Sequence, residues 1–221
     1  MAREADRYEE ALERARSERR ARHSRDTEAE TAILDAAEAL LEQVALHELK
    51  VAEIIERAGI SRATFYFYFT SKFAVIAAVL SRSIDEIFEA VQPWVAGDED
   101  PPADRLLRSI EAAGRIWGEH RGVLTSISES WPADEELRAL WLAVTERFID
   151  AFTAAVEGDV ARGEATVPGD VRRFVTGLFW GTERVFYIAA RGVEPSLPDV
   201  DAAVEVMQRT WLHAIYGTPP A

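Results

Sequence analysis

The residues best equipped for chemistry lie in one run, Ser61-Arg62-Ala63-Thr64-Phe65-Tyr66-Phe67-Tyr68-Phe69-Thr70-Ser71-Lys72. It offers hydroxyls, phenols, a guanidinium and an ammonium, and no carboxylate. No acidic residue occurs anywhere between Glu56 and Asp85. Side chains of these types donate hydrogen bonds and positive charge to phosphate oxygens. Catalytic groups, by contrast, are scattered. The histidines (His23, His47, His120, His213) form no HExxH and no i, i+4 pair, and no glycine-rich phosphate loop or Gly-x-Ser-x-Gly elbow occurs. The absence of cysteine removes disulfides, thiolate zinc sites and Cys nucleophiles. No enzyme activity, cofactor or metal is expected from such a set.

A nucleic-acid partner must be reconciled with a net charge of −14 over 221 residues. The distribution does this. Residues 1–76 carry 12 Lys/Arg against 15 Asp/Glu, whereas the remainder carries 13 against 24. Within the first part, Arg14 to Arg25 holds six arginines and one acid. Phosphate binding follows the local field rather than the sum over a chain. The acidic half argues against general DNA coating and leaves one positive end. The Arg14–Arg25 stretch is either an arm that tracks phosphates or a solvated tail paired with Glu9, Glu10, Glu13 and Glu18.

The elements that must carry these groups read as helices, about nine in an all-α chain, since nothing alternates like a strand. A stripe of Ile33, Leu34, Ala37, Leu40, Leu41 and Val44 opens the series. Two short segments follow, 51–58 and 61–68, with Gly59 for the turn, Ile60 as its plug and Ser61 as a cap. Helix, tight glycine turn, cap and helix form a helix-turn-helix, whose second member enters a major groove N-terminus first. Phe65 and Phe69, four apart, face inward. A longer helix is expected over 71–91, stopped near Pro93. Further stripes run through Leu106 to Trp117 and Leu137 to Phe152, and two apolar helices, 169–191 and 198–216, close the chain. With 48% hydrophobic residues and no run approaching the ~20 needed to span a bilayer, a folded cytoplasmic protein without a membrane anchor is expected.

Ala58 to Lys72 resembles the TetR family of bacterial transcriptional repressors at nearly every position of its pattern, Ala-Gly-(Val/Ile)-Ser-x-x-Thr-(Leu/Phe)-Tyr-x-(His/Tyr)-Phe-x-x-Lys. The departures are Ile55, where a small residue is usual, and Phe73, where an acid is. The resemblance implies three parts: an arm (1–26), a three-helix DNA-binding domain (27–76) and a helical ligand-binding and dimerisation domain (77–221). It also implies that Ser61, Arg62, Ala63, Thr64, Tyr66, Tyr68 and Lys72 meet DNA, with Arg62 and Ala63 near the bases. The partners implied are a double-stranded palindromic operator, a small hydrophobic ligand and a second copy joined through the last two helices.

The second half is rich in aromatic residues, and stripes at helical spacing usually mean core. Ligand pockets between bundle helices have the same composition. Gly114 and Gly118 flank Trp117 and read as making room beside its ring. Glu183-Arg184, the 194–198 turn and Trp211 with Ala214 to Gly217 are similar to a mycobacterial branch of the family that holds elongated hydrophobic ligands in an aromatic tunnel. That likeness implies that Trp117, Trp141, Phe148 and Trp211 line a pocket. Phe179 and Thr182 stand where that branch carries two amides, which implies a different ligand. The competing readings are an all-α interaction scaffold or a small-molecule-binding enzyme, neither of which binds DNA.

Overall fold

The computed structural model describes residues 28–96, 100–192 and 197–217, and the Arg14–Arg25 stretch and residues 194–196 of the expected turn lie outside them. Nine helices and no strand occur among the described residues. The first, α1, spans 28–41. It is followed by α2 (Val51–Ala58), α3 (Arg62–Tyr68), α4 (Lys72–Ala96), α5 (Pro102–Glu119), α6 (Arg121–Ser130), α7 (Glu135–Arg162), α8 (Val171–Arg191) and α9 (Val200–Tyr216).

Helices as short as α2 and α3 do not persist alone and depend on tertiary packing. Ile54 of α2 and Phe65 of α3 are fully buried, together with Ile33 and Ala37 of α1. Glu53 accepts the Lys50 amide at the start of α2 (2.9 Å). Gly59 ends α2 at φ +65°, so the Ile60 amide can reach back to the Ile55 carbonyl. A Cβ is disfavoured in that left-handed conformation.

Two expectations need correction, and one helix carries no stripe in the sequence. Pro93 lies inside α4, which continues to Ala96. Pro93 cannot give an amide to the ladder, yet one more turn buries Trp94 against Phe152 and Trp211. The segment after Pro101 is two helices, broken at His120. Residues 122–128 of α6 are all buried, so no polar face marks this helix in the sequence. Gly114 also does something other than make room. A Cβ there would lie 2.2 Å from Val204 Cγ2, so its bareness lets α9 close onto α5. Gly118 is exposed, with nothing within 4 Å of a Cβ.

The three-helix headpiece joins the larger bundle along a polar seam. Arg82 of α4 donates to Asp35 (2.8 Å) and Glu38 of α1. Arg121 donates to Glu42 (2.7 Å), and the Gly122 amide donates to the same carboxylate. His120 sits between Glu38 and Glu86. Burial alone would lower the His120 pKa, but its hydrogen bonds to Glu38 and Glu86 and their negative charge together raise it. A raised pKa in the folded state adds stability that is complete below about pH 6.5 and is lost as pH rises through the folded value. Thermal melts of wild type are therefore expected to lose a stabilising contribution above pH 6.5 that His120→Gln lacks. Parallel melting curves for the two proteins between pH 6 and 9 would remove His120 from the seam.

Candidate functional site

The α3 helix starts with a cap built by its own sequence. The Thr64 amide donates to Ser61 Oγ (3.0 Å), and the two side-chain oxygens lie 2.8 Å apart. With Phe65 fully buried and Phe69 8% exposed, the opposite side of the helix is turned outward. Ser61, Arg62 and Ala63 are exposed, and Thr64 and Tyr68 are half-buried. Tyr66 is 46% exposed and Phe67 75%. The Arg62 guanidinium lies 5.4 Å from the Tyr66 ring centre and makes no ion pair with a described residue. A cation, two hydroxyls and a phenol thus share the open end of a short rod.

Lys72 has a different setting. Its ammonium donates to the carbonyls of Leu46 (2.8 Å), Leu49 (2.9 Å) and His47 (3.4 Å). All three N–H bonds tie the 45–49 turn to the start of α4. The charge stays at this edge of the headpiece, while the hydrogen bonds position α2 relative to α4.

The second constellation is a cavity inside the bundle. Its walls come from α4 (Ile84, Ile87, Val91, Trp94), α5, α6, α7, α8 and α9. Trp117, Trp141, Phe148, Phe179, Thr182 and Trp211 all line it. The free volume inside is about 80 Å³, below the ~300–1,000 Å³ usual for small-molecule sites. Inside, a stack of rings crowds it into a slot: Phe148 and Phe179 lie 5.8 Å apart, and Phe152 meets Trp211 edge-on at 5.7 Å.

The polar groups of the slot divide in two. Some are already paired: Trp211 Nε1 donates to Thr182 Oγ1 (2.7 Å), and Thr182 and Thr145 donate to the carbonyls of Leu178 and Trp141 within their own helices. The others have no hydrogen-bond partner: Ser109 Oγ, Trp141 Nε1 and Glu183 Oε2. The other Glu183 oxygen accepts from Ser128 Oγ (2.6 Å), and the nearest cation, Arg184, is 3.9 Å away. Burial raises the Glu183 pKa, against the lowering effects of Ser128 and Arg184. No group of three or more His, Asp or Glu among the described residues could hold a metal ion.

Comparisons with known proteins meet this geometry at both constellations. The family model "Bacterial regulatory proteins, tetR family" matches residues 33–79, and "Transcriptional regulator EthR, C-terminal domain" matches residues 106–217. The HTH-type transcriptional regulator EthR of Mycobacterium tuberculosis is 30% identical over 203 residues, 91% of this chain and 93% of that one. The chain belongs to the TetR family.

EthR of Mycolicibacterium smegmatis is likewise 30% identical, over 93% of this chain and 94% of its own. A TetR-family regulator of known structure from Rhodococcus sp. superposes with a TM-score of 0.72 at 20% identity, covering 85% of this chain and 98% of that one. The TetR-family match covers α1 to the first turns of α4, and the EthR-like match covers nearly all of α5 to α9. TetR-family regulators bind DNA as dimers and take small-molecule ligands. The chain is accordingly a helix-turn-helix transcriptional regulator and not an enzyme. The scaffold and enzyme alternatives are not favoured.

Sequence reasoning missed several lining residues. Trp94 was lost because Pro93 was read as a stop. Ser109, Thr145 and Glu183 are ordinary polar residues of amphipathic helices until the bundle closes over them. Phe67 hides in a run of five rings whose two inward members suggest core for all. Spacing does mark it, since 67 lies two residues from both 65 and 69.

Proposed function

We propose that this chain is a repressor that binds a palindromic operator as a homodimer and is released by a small hydrophobic ligand held in the aromatic slot. The observation that carries the reading is one helix. α4 begins at Lys72, beside the headpiece turn, and its second half supplies Ile84, Ile87, Val91 and Trp94 to the cavity wall. At ~1.5 Å per residue, the twelve residues from Lys72 to Ile84 span about 18 Å. A ligand that pushes the cavity end of such a rod tilts its headpiece end, and so the spacing of two recognition helices. Ligand binding then favours the population that fits the operator less well.

In this reading Arg62 and Ala63 face base edges, Ser61, Thr64, Tyr66 and Tyr68 face phosphates, and Lys72 adds charge while holding the 45–49 turn. Exposed Phe67 is suited to thymine methyl groups. Residues 27–76 act as the DNA-binding unit, and 77–221 bind the ligand and pair through α8 and α9. Half-buried Phe174, Leu178, Trp180 and Val185, with exposed Val206, support that pairing, because apolar helix faces left open within a chain seek a partner. No single helix among the described residues is long and apolar enough to cross a membrane, and a DNA partner places the protein in the cytoplasm.

Anisotropy of a labelled duplex carrying the DNA that flanks its own coding sequence tests the function. Wild type is expected to bind it in preference to an unrelated duplex. Tyr66→Phe is expected to weaken that binding by about 1 kcal/mol, the net value of one hydrogen bond. Unchanged affinity would remove the Tyr66 hydroxyl from the contact. Equal affinity for the unrelated duplex would refute the regulator reading at this DNA.

A further inference from the structure

The slot is more selective than a greasy tunnel, because its one carboxylate is unfinished. Glu183 has a side chain only 4% exposed. One oxygen accepts from Ser128 (2.6 Å), while Oε2 has no hydrogen-bond partner among the described residues. Leaving a buried carboxylate oxygen without a hydrogen bond is costly, and such groups are normally satisfied. Arg184 forms an ion pair with this oxygen, but at a separation too long for a hydrogen bond. That guanidinium is 3.9 Å away and lies over the Tyr187 ring, 4.7 Å from its centre.

The surroundings say what would complete it. The cavity that Glu183 lines is rich in rings, Trp117, Trp141 and Phe179 among them. Ring faces attract cations, most strongly when water is excluded. The hydroxyl of Thr182 and the indole N–H of Trp211 are spent on each other, whereas the Trp141 indole N–H is free and suits an acceptor elsewhere on the ligand. An anionic head group would face the Glu183 carboxylate and π faces together, and a neutral hydroxyl would give Oε2 a hydrogen bond but no countercharge.

We propose that the ligand of this cavity is a lipophilic amine, its ammonium seated on Glu183 Oε2 and its hydrocarbon part running along the aromatic slot. The inference rests on the reading of the cavity as a ligand site and sharpens it. Ser109 Oγ, also without a partner, is a second acceptor on the wall of the same cavity. The raised Glu183 pKa fits a carboxyl that is uncomfortable until a cation arrives. On binding, no bond other than hydrogen bonds is made or broken. A carboxyl still protonated at that moment passes its proton to a neutral amine, giving the same ion pair.

The probes are decylammonium, decanol and decanoate, which share a chain and differ in head group. They are titrated into the full-length protein at pH 7, below their aggregation limits, with tryptophan fluorescence as the signal. Decylammonium is expected to bind about tenfold or more tightly than decanol, the usual advantage of a charge-assisted hydrogen bond, and decanoate most weakly. Glu183→Gln is expected to bring the amine-to-alcohol ratio to about one while leaving decanol affinity within a factor of about three. The wild-type ratio decides by itself if that variant does not fold. Decanol binding as tightly as decylammonium, or a ratio that survives Glu183→Gln, overturns the proposal and leaves the cavity as a neutral hydrophobic site. Failure of all three probes to bind overturns the ligand-site reading along with it.

Discussion

Arg62→Glu is expected to reduce operator affinity at least about a hundredfold, close to 3 kcal/mol, while thermal stability and ligand binding stay near wild type. The loss has two sources. An arginine contact to a guanine edge or phosphate is worth about 1–3 kcal/mol, and a carboxylate facing the DNA adds repulsion of its own. Stability should hold because the Arg62 side chain is exposed and its contact is the Tyr66 ring. Anisotropy at two salt concentrations checks both halves. Wild-type affinity should fall steeply with salt as counterions are recaptured by the DNA, and the variant should show a shallower slope. An affinity within threefold of wild type would take Arg62, and with it the orientation of α3, out of the interface.

Gly122→Ala is expected to cost about 3 kcal/mol of folding stability, the upper part of the range for overpacking a tight contact. For a chain of this size that is a fall of roughly 6–12 °C in Tm. A Cβ at Gly122 would lie 2.6 Å from the Leu41 carbonyl carbon and 2.7 Å from the Glu42 nitrogen. These are backbone atoms, so no rotamer change relieves the clash, and α1 must move away from α6. The same movement strains the Gly122–Glu42 and Arg121–Glu42 hydrogen bonds. Gly118→Ala, one turn away on α5 with open space around it, is the control and is expected to match or slightly exceed wild type. Equal melting temperatures for the two variants would mean that headpiece and bundle are not held at this approach.

The limits of the sequence reading have physical causes. The headpiece was legible because each of its devices is local: Gly59 for the left-handed turn, Ser61 for the cap, and Phe65 and Phe69 four apart. The ligand half was legible only as stripes. Helix α6 was invisible because burial on all sides removes the polar face that gives a helix its period, and its Ser126 and Ser128 are buried too. Gly114 misled because a missing side chain looks the same whether it admits a ligand or a neighbouring helix. Lys72 matched the family pattern, yet sequence could not show that its three N–H bonds are spent on the 45–49 turn. The six cavity residues came from a likeness in which ring positions line up along the chain. Which polar atoms are left without partners depends on side-chain packing between distant helices, and no spacing rule reveals that.

The central claim is that two copies of α3 enter successive major grooves on one face of a duplex. Probing guanine N7 protection on the flanking DNA, with and without saturating protein, reads that contact directly, since N7 lies in the major groove. The account predicts two protected patches related by a two-fold axis, with centres about 10 base pairs or a multiple of that apart, both lost with Arg62→Glu. A single patch, protection spread without regard to sequence, or protection that persists in the Arg62→Glu protein would contradict it.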